Sequence, residues 1–290
     1  MKRLVWVSLL AIATIATGMV AAQTQSNAGA AATPRMPDGK PDLSGVWGAG
    51  GGGGGRDLVE LEPGKLVEEF PSRRCGPSQV NCGDYTNQSE DGEFTARLTT
   101  NRPIYKPEHW DKVQQLDMWT NKYDPLFFCQ PLGLPRAGAP TRILQTAHDV
   151  VFLYTASGGG AGNAEYRTIP TDGRKHDPVK SLDVHFWGHS VGRWEGDTLV
   201  VDAIAFNDET WLDKGGYFTS DKKRVIERFT REGNDLRYEV TVEDPEVLAE
   251  PWVMTPRQLR LNPDPNAGIL AEATPCRDYD HANMVTQIRH

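Results

Sequence analysis

Residues 223–243 read Lys223-Arg224-Val225-Ile226-Glu227-Arg228-Phe229-Thr230-Arg231, then Glu232-Gly233-Asn234-Asp235, then Leu236-Arg237-Tyr238-Glu239-Val240-Thr241-Val242-Glu243. In the last run Leu236, Tyr238, Val240 and Val242 alternate with Arg237, Glu239, Thr241 and Glu243. A strand sends successive side chains to opposite faces, so this run has one apolar and one polar face. A short glycine-containing link between two such runs predicts a β-hairpin. Strands buried on one side belong to antiparallel sheets. Glu227 sits between Val225 and Phe229 on the same alternation, with Arg224, Arg228 and Thr230 opposite. The pattern therefore carries a carboxylate to the apolar side, where it needs a partner or shifts its pKa upward. Two readings stand: a pocket acid or base, or an internal ion pair, for example with Arg174 or Arg193.

The rest of the chain repeats the hairpin signal. Residues 141–146 and 150–155 are short apolar runs around Ala147-His148-Asp149. Residues 164–169 run into Pro170-Thr171-Asp172-Gly173, a turn signature. Ser190–Glu195 and Thr198–Phe206 flank Gly196-Asp197, a two-residue hairpin loop. One helix interrupts the series near 107–121. Pro107 and Glu108 suit its first turn, Trp110, Val113, Leu116 and Trp119 recur every three residues, and Asp124-Pro125 stops it. Successive hairpins favour a barrel or sandwich over an α/β fold. Self-similarity at a propeller period is absent. The expected fold is mainly β, a lipocalin-like barrel or a two-sheet sandwich with one helix and long loops.

The ends of the chain speak of export. Met1-Lys2-Arg3, an apolar run from Leu4 and Val20-Ala21-Ala22 before Gln23 read as a secretory signal peptide over 1–22. Residues 23–38, poor in apolar bulk, read as a flexible leader, leaving 39–290 as one β-rich domain. Export implies a periplasmic or secreted location. The net charge of −8 becomes more negative once Lys2 and Arg3 are removed, which argues against a nucleic-acid partner. After residue 22 no apolar run is long enough to span a bilayer. Cys75, Cys82, Cys129 and Cys276 are an even set in an oxidising compartment. The simplest pairing closes Cys75–Cys82 and ties Cys129 to Cys276. Zinc is the competing use of these thiols, without the usual spacing. The run Gly50 to Gly55 has no phosphate-loop Lys-Ser/Thr after it and reads as a loop.

Chemistry-bearing residues concentrate in 172–211. His176 and His189 are candidate acid/base groups, with Asp208 and Glu227 as candidate carboxylates. Arg136 and Arg174 are candidates to hold an anionic or carbonyl oxygen, and Trp187 and Trp211 to line a pocket. Asp183, His185 and His189 carry metal-ligating groups, but their spacing fits no recognised site, and no cofactor is expected. Gly188-His189-Ser190-Val191-Gly192 matches G-x-S-x-G. A nucleophile elbow needs a strand before it and a helix after it. Here a strand follows, so Ser190 is not read as a nucleophile but as part of a glycine-rich turn.

Three segments together resemble a large group of exported bacterial proteins to which no activity is attached: Pro41-Asp42-Leu43-Ser44-Gly45-Val46-Trp47, Gly188 to Asp202, and Phe206-Asn207-Asp208-Glu209-Thr210-Trp211-Leu212-Asp213. The resemblance covers about 41–276. It implies a secreted single domain and transfers no catalytic assignment. Gly45-Val46-Trp47 is also similar to the first strand of lipocalin-like barrels. The leading functional expectation is an exported, cofactor-independent acid/base enzyme of isomerase, hydratase, lyase or cyclase type. Its partner is a small apolar or aromatic molecule. The alternatives are a periplasmic carrier of a hydrophobic ligand and an accessory protein without a ligand. The oligomeric state is not legible.

Overall fold

The hairpin at 224–243 is the centre of the larger of two antiparallel sheets. The computed structural model describes residues 32–48, 56–62, 65–69, 103–128, 130–154, 165–213, 215–254, 256–264 and 267, all within the compact unit Ala31–His290. The proposed signal peptide, the glycine run and all four cysteines lie outside the described residues.

The smaller sheet has four strands in the order β1-β4-β5-β6: β1 (Gly45–Val46), β4 (Arg142–Gln145), β5 (Asp149–Tyr154) and β6 (Glu165–Pro170). The larger has eight. Its path runs β3 (Lys65–Glu69), β2 (Arg56–Glu62), β12 (Arg257–Arg260), β10 (Asp235–Glu243), β9 (Arg224–Glu232), β8 (Thr198–Ile204) and β7 (His189–Glu195), with β11 (Trp252–Val253) on β10. The register Tyr238↔Phe229, Val240↔Glu227 and Val242↔Val225 stacks the predicted apolar set on one face. On β8 the inward set is Leu199, Val201 and Ala203, opposite Phe229, Glu227 and Val225.

The two inner faces meet in a sandwich. Phe152 of β5 packs on Phe229 with ring centroids 4.8 Å apart, and Phe229 packs on Tyr238 at 5.0 Å. Aromatic pairs at this spacing add to the burial that drives the fold. The sheets are not closed into a barrel. At one seam the isolated bridge Trp47↔Leu261 links their edges. At the other, β6 and β7 lie side by side, held at one end by the Gly173 N–H donating to the Gly192 carbonyl at 3.1 Å. Gly192 suits this close approach, since a Cβ would sit 3.2 Å from both Ile169 Cγ2 and the Pro170 carbonyl and would push them back by a few tenths of an ångström.

The helix begins as a 3-10 turn at Pro107–His109 and continues as α1 (Trp110–Met118) and a last turn, α2 (Thr120–Tyr123). Its Val113 is fully buried in the core, as the three-residue repeat requires.

Residues 32–38 are tied to the larger sheet by hydrogen bonds. Thr33 Oγ1 accepts from the Gly233 N–H at 2.8 Å, and Asp42 N donates to the Pro34 carbonyl at 2.9 Å. Arg35 makes two bonds to Asp197, at 2.9 and 2.7 Å. Composition missed this because the segment is held by hydrogen bonds to two hairpin turns, not by apolar bulk.

Candidate functional site

Where β6 and β7 diverge, a cleft of about 520 Å³ opens between them. Pro131, Glu165, Arg167, Phe186, Trp187 and Ser190 are among its lining residues, with His185 and Gly188. On β6 the alternation turns Glu165, Arg167 and Ile169 inward, while Tyr166 is exposed. The opposite wall, 185–188, is clamped to the end of β8. His185 N donates to the Ala205 carbonyl and Asn207 N to the His185 carbonyl, each at 3.1 Å. Gly188 has φ +64, and a Cβ there would lie 2.6 Å from the Ile204 carbonyl, so only glycine lets the wall approach so closely.

Under the cleft lies a dehydrated polar network. Arg167 donates through one nitrogen to Tyr154 Oη at 2.9 Å and to Glu227 Oε2 at 2.7 Å, and through the other to Ser190 Oγ at 2.8 Å. Tyr238 Oη–H donates to Glu227 Oε1 at 3.0 Å. Glu227 is wholly buried and Arg167 nearly so. Burial alone would weaken the guanidinium's hold on its proton; the Glu227 charge and Tyr154 outweigh it and raise the Arg167 pKa. Burial raises the hydroxyl pKa of Tyr154, and burial together with Glu227 that of Tyr238. Ser190 accepts from Arg167, so its own hydrogen is available to a molecule in the cleft. The Trp187 ring packs on Tyr154 at 4.5 Å, and its indole N–H donates to Glu165 Oε2. Partial burial pushes the Glu165 carboxyl up to about 7.

On the other side of β7 is a second polar cluster. His176 Nδ1 and His189 Nδ1 are 2.8 Å apart. His176 Nε2 faces Asp202 Oδ1 at 3.8 Å. Arg224 grips Asp202 with two bonds, at 2.8 and 2.7 Å, and reaches Glu243 at 3.2 Å. Burial lowers the basicity of both histidines; for His189 the neighbouring His176 adds to the effect. For Asp202, burial acts upward, and the Arg224 bonds override it and lower the carboxyl pKa.

The structure therefore separates residues that the sequence reading grouped. His189 and Ser190 are successive on a strand and point to opposite faces, so His176 and His189 lie outside the sandwich. Glu227 lies inside it, behind Arg167, and the cleft histidine is His185. Asp208 is exposed on the loop after β8. His176, His189, Asp208 and Glu227 thus share no cavity. The partner of Glu227 is Arg167, not Arg174 or Arg193. Arg174 pairs with its neighbour Asp172 in solvent, and Arg193 with Glu195. Arg136 is fixed by buried Asp124 through bonds of 2.6 and 2.7 Å, away from the cleft. Trp187 lines the cleft, whereas Trp211 is buried in the core and bridges Phe218. Asp183 meets His185 at 3.3 Å on the surface, without His189. Ser190 stands within a strand, not in the turn expected of it, and no helix follows it.

Glu165, Arg167, Tyr154 and Tyr238 were not singled out in the sequence. The signal was available at Glu165-Tyr166-Arg167-Thr168-Ile169, where the alternation that flagged Glu227 places two charges on the side of Ile169. Among the described residues no helix is long and apolar enough to cross a membrane. No family model, curated protein or solved structure matches the chain.

Proposed function

We propose that the protein is an exported acid/base enzyme that acts on a small, flat, aromatic or apolar molecule in the β6–β7 cleft. It belongs, on this reading, with the exported bacterial group that its sequence resembles. The chemistry is proton transfer, as in isomerisation, hydration, elimination or cyclisation, and calls for no cofactor. The roles fall on different residues from those chosen by sequence. Glu165 is the proton-transfer group, because a carboxyl balanced near neutral pH serves as acid or base with little bias. Ser190 O–H, aligned by Arg167, donates to a carbonyl or developing oxyanion. Trp187 and Phe186 offer the flat apolar surfaces. Glu227 holds Arg167 in place and does not meet the substrate.

The observation that carries this reading is the half-buried Glu165 carboxyl, pushed up to about 7, facing a cleft that also holds a free hydroxyl donor. A screen of small aromatic carbonyl compounds by thermal shift identifies ligands, since binding to the native state raises Tm. Turnover of a hit by the wild type, lost in Glu165→Gln with binding kept, supports the enzyme. Binding without turnover in the wild type gives the carrier reading. Binding unaffected by changes to Trp187 and Ser190 removes the cleft from consideration.

A further inference from the structure

The outer-face histidines play no part in the cleft chemistry, yet their imidazole rings meet nitrogen to nitrogen at 2.8 Å. Two imidazole nitrogens 2.8 Å apart cannot each carry a hydrogen toward the other. One of them presents a lone pair. His176 Nε2 is buried without a hydrogen-bond partner and faces Asp202, which favours a hydrogen on Nε2 and leaves Nδ1 as the lone pair. Asp202 cannot turn away, because Arg224 holds both of its oxygens. The Asp202 carboxylate, 3.8 Å behind the imidazole, stands where metal-binding histidines carry their outer-shell partner, and a small closure would complete that bond.

We infer that the Nδ1 atoms of His176 and His189 form a two-imidazole binding site for a divalent transition metal of the zinc, copper or nickel type. Imidazole nitrogen suits these ions. With metal–nitrogen bonds of about 2.0–2.1 Å in tetrahedral geometry, two ligand nitrogens stand about 3.3 Å apart. The pair needs to open by only about half an ångström, which two ring rotations supply. On binding, His189 moves its hydrogen from Nδ1 to Nε2, so the neutral pair takes up the ion with no net proton release. The charges around the pair are mixed. Asp177 and Lys180 act on His189 from its own side, and Asp202 and Arg224 act on His176 from β8 and β9. Among the described residues no third His, Cys, Asp or Glu converges on the pair. Water or an exogenous ligand therefore fills the remaining positions, and the site is open to solvent on the His189 side.

The test is a calorimetric titration of the full chain with Zn²⁺, and EPR of the same chain loaded with one equivalent of Cu²⁺. The expected result is one saturable site, with a Cu²⁺ spectrum showing two nitrogen ligands. His176→Ala and His189→Ala each weaken Zn²⁺ binding at least tenfold, and Asp202→Asn weakens it about ten- to a hundredfold. His185→Ala, on the other face of the sandwich wall, leaves it unchanged. Absence of a saturable site overturns the inference, as does affinity retained in both histidine variants. The wild-type EPR reads the ligand set directly, so the answer does not depend on any variant folding.

Discussion

Strands β7, β8 and β9 carry charge on both faces, and the two faces hold it differently. Inward, Arg167 and Glu227 form a buried pair bonded to Tyr154, Tyr238 and Ser190, with Arg167 bordering the cleft. Outward, Asp202, Arg224, Glu243, His176 and His189 form a chain in which Arg224 stays 42% exposed. The geometry of the bonds is alike, near 2.7 Å in each ion pair. What differs is the solvent. A dehydrated pair is costly to break because one charge is left stranded in a low-dielectric interior, while a solvated pair loses little when a partner goes. On β8 and β9, one residue of alternation decides whether a carboxylate joins a buried bridge to the other sheet, as Glu227 does, or an outer-face chain, as Asp202 does.

Breaking the inner pair should give the largest effect. Arg167→Met leaves Glu227 buried without its cation and should lower stability by about 3–5 kcal/mol in a urea titration. The double change Arg167→Met with Glu227→Leu should recover much of that loss. If the single variant melts within a degree of the wild type, water reaches the pair and the contrast between the faces disappears.

Lys223 tests the inside from another direction. It is buried, its amine meets the Leu134 carbonyl, Thr210 Oγ1 and the Phe206 ring, and burial, opposed by the Asp244 charge, pulls its pKa down to about 7. The unfolded chain holds that proton up to about 10.5, so between the two values the unfolded state binds more protons. Stability should therefore rise with pH across this window, by up to about 1.4 kcal/mol per pH unit. Lys223→Met should flatten the slope; an unchanged pH profile of Tm would refute a neutral amine.

A raised carboxyl gives the opposite slope. Between about 4.5 and 7 the folded chain keeps on Glu165 a proton that the unfolded chain has lost, so this group erodes stability as pH climbs. Glu165→Gln should remove that component, keep the fold, and delete any inflection near pH 7 from the rate profile. Persistence of the inflection in the variant would assign it to another group.

The smallest effect belongs to the outer face. Arg224→Ala should cost less than Arg167→Met, because Arg224 is 42% exposed and the Asp202 that it leaves keeps some contact with solvent at 13%. A loss as large as that of Arg167→Met would mean that the outer chain is as structural as the inner one.

The hairpins were legible because period-two patterning is local. Val225, Glu227 and Phe229 announce their common face without reference to any other segment. The partner of Glu227 was not legible, because Arg167 arrives from the other sheet and no local rule links positions so far apart in the chain. His176, His189 and Trp187 read as one cluster by nearness in sequence, and strand geometry divided them between two faces. The β6 charges were legible by the same rule, since Arg167 beside Ile169 on the alternation carries the same information as Glu227.

The anchoring of residues 32–38 bears on how the molecule can be attached to something else. Thr33 is tied at the β9–β10 turn and Arg35 at the β7–β8 turn, which lie at the same end of the larger sheet. The cleft residue Ser190 is five positions back along β7, roughly 17 Å at about 3.3 Å per residue. A tether fused ahead of residue 32 therefore pulls on the turn end of the sandwich. Immobilised on a sensor chip or bead through such a tether, the protein would be gripped at the turn end of the larger sheet and not at the Ser190 end of β7.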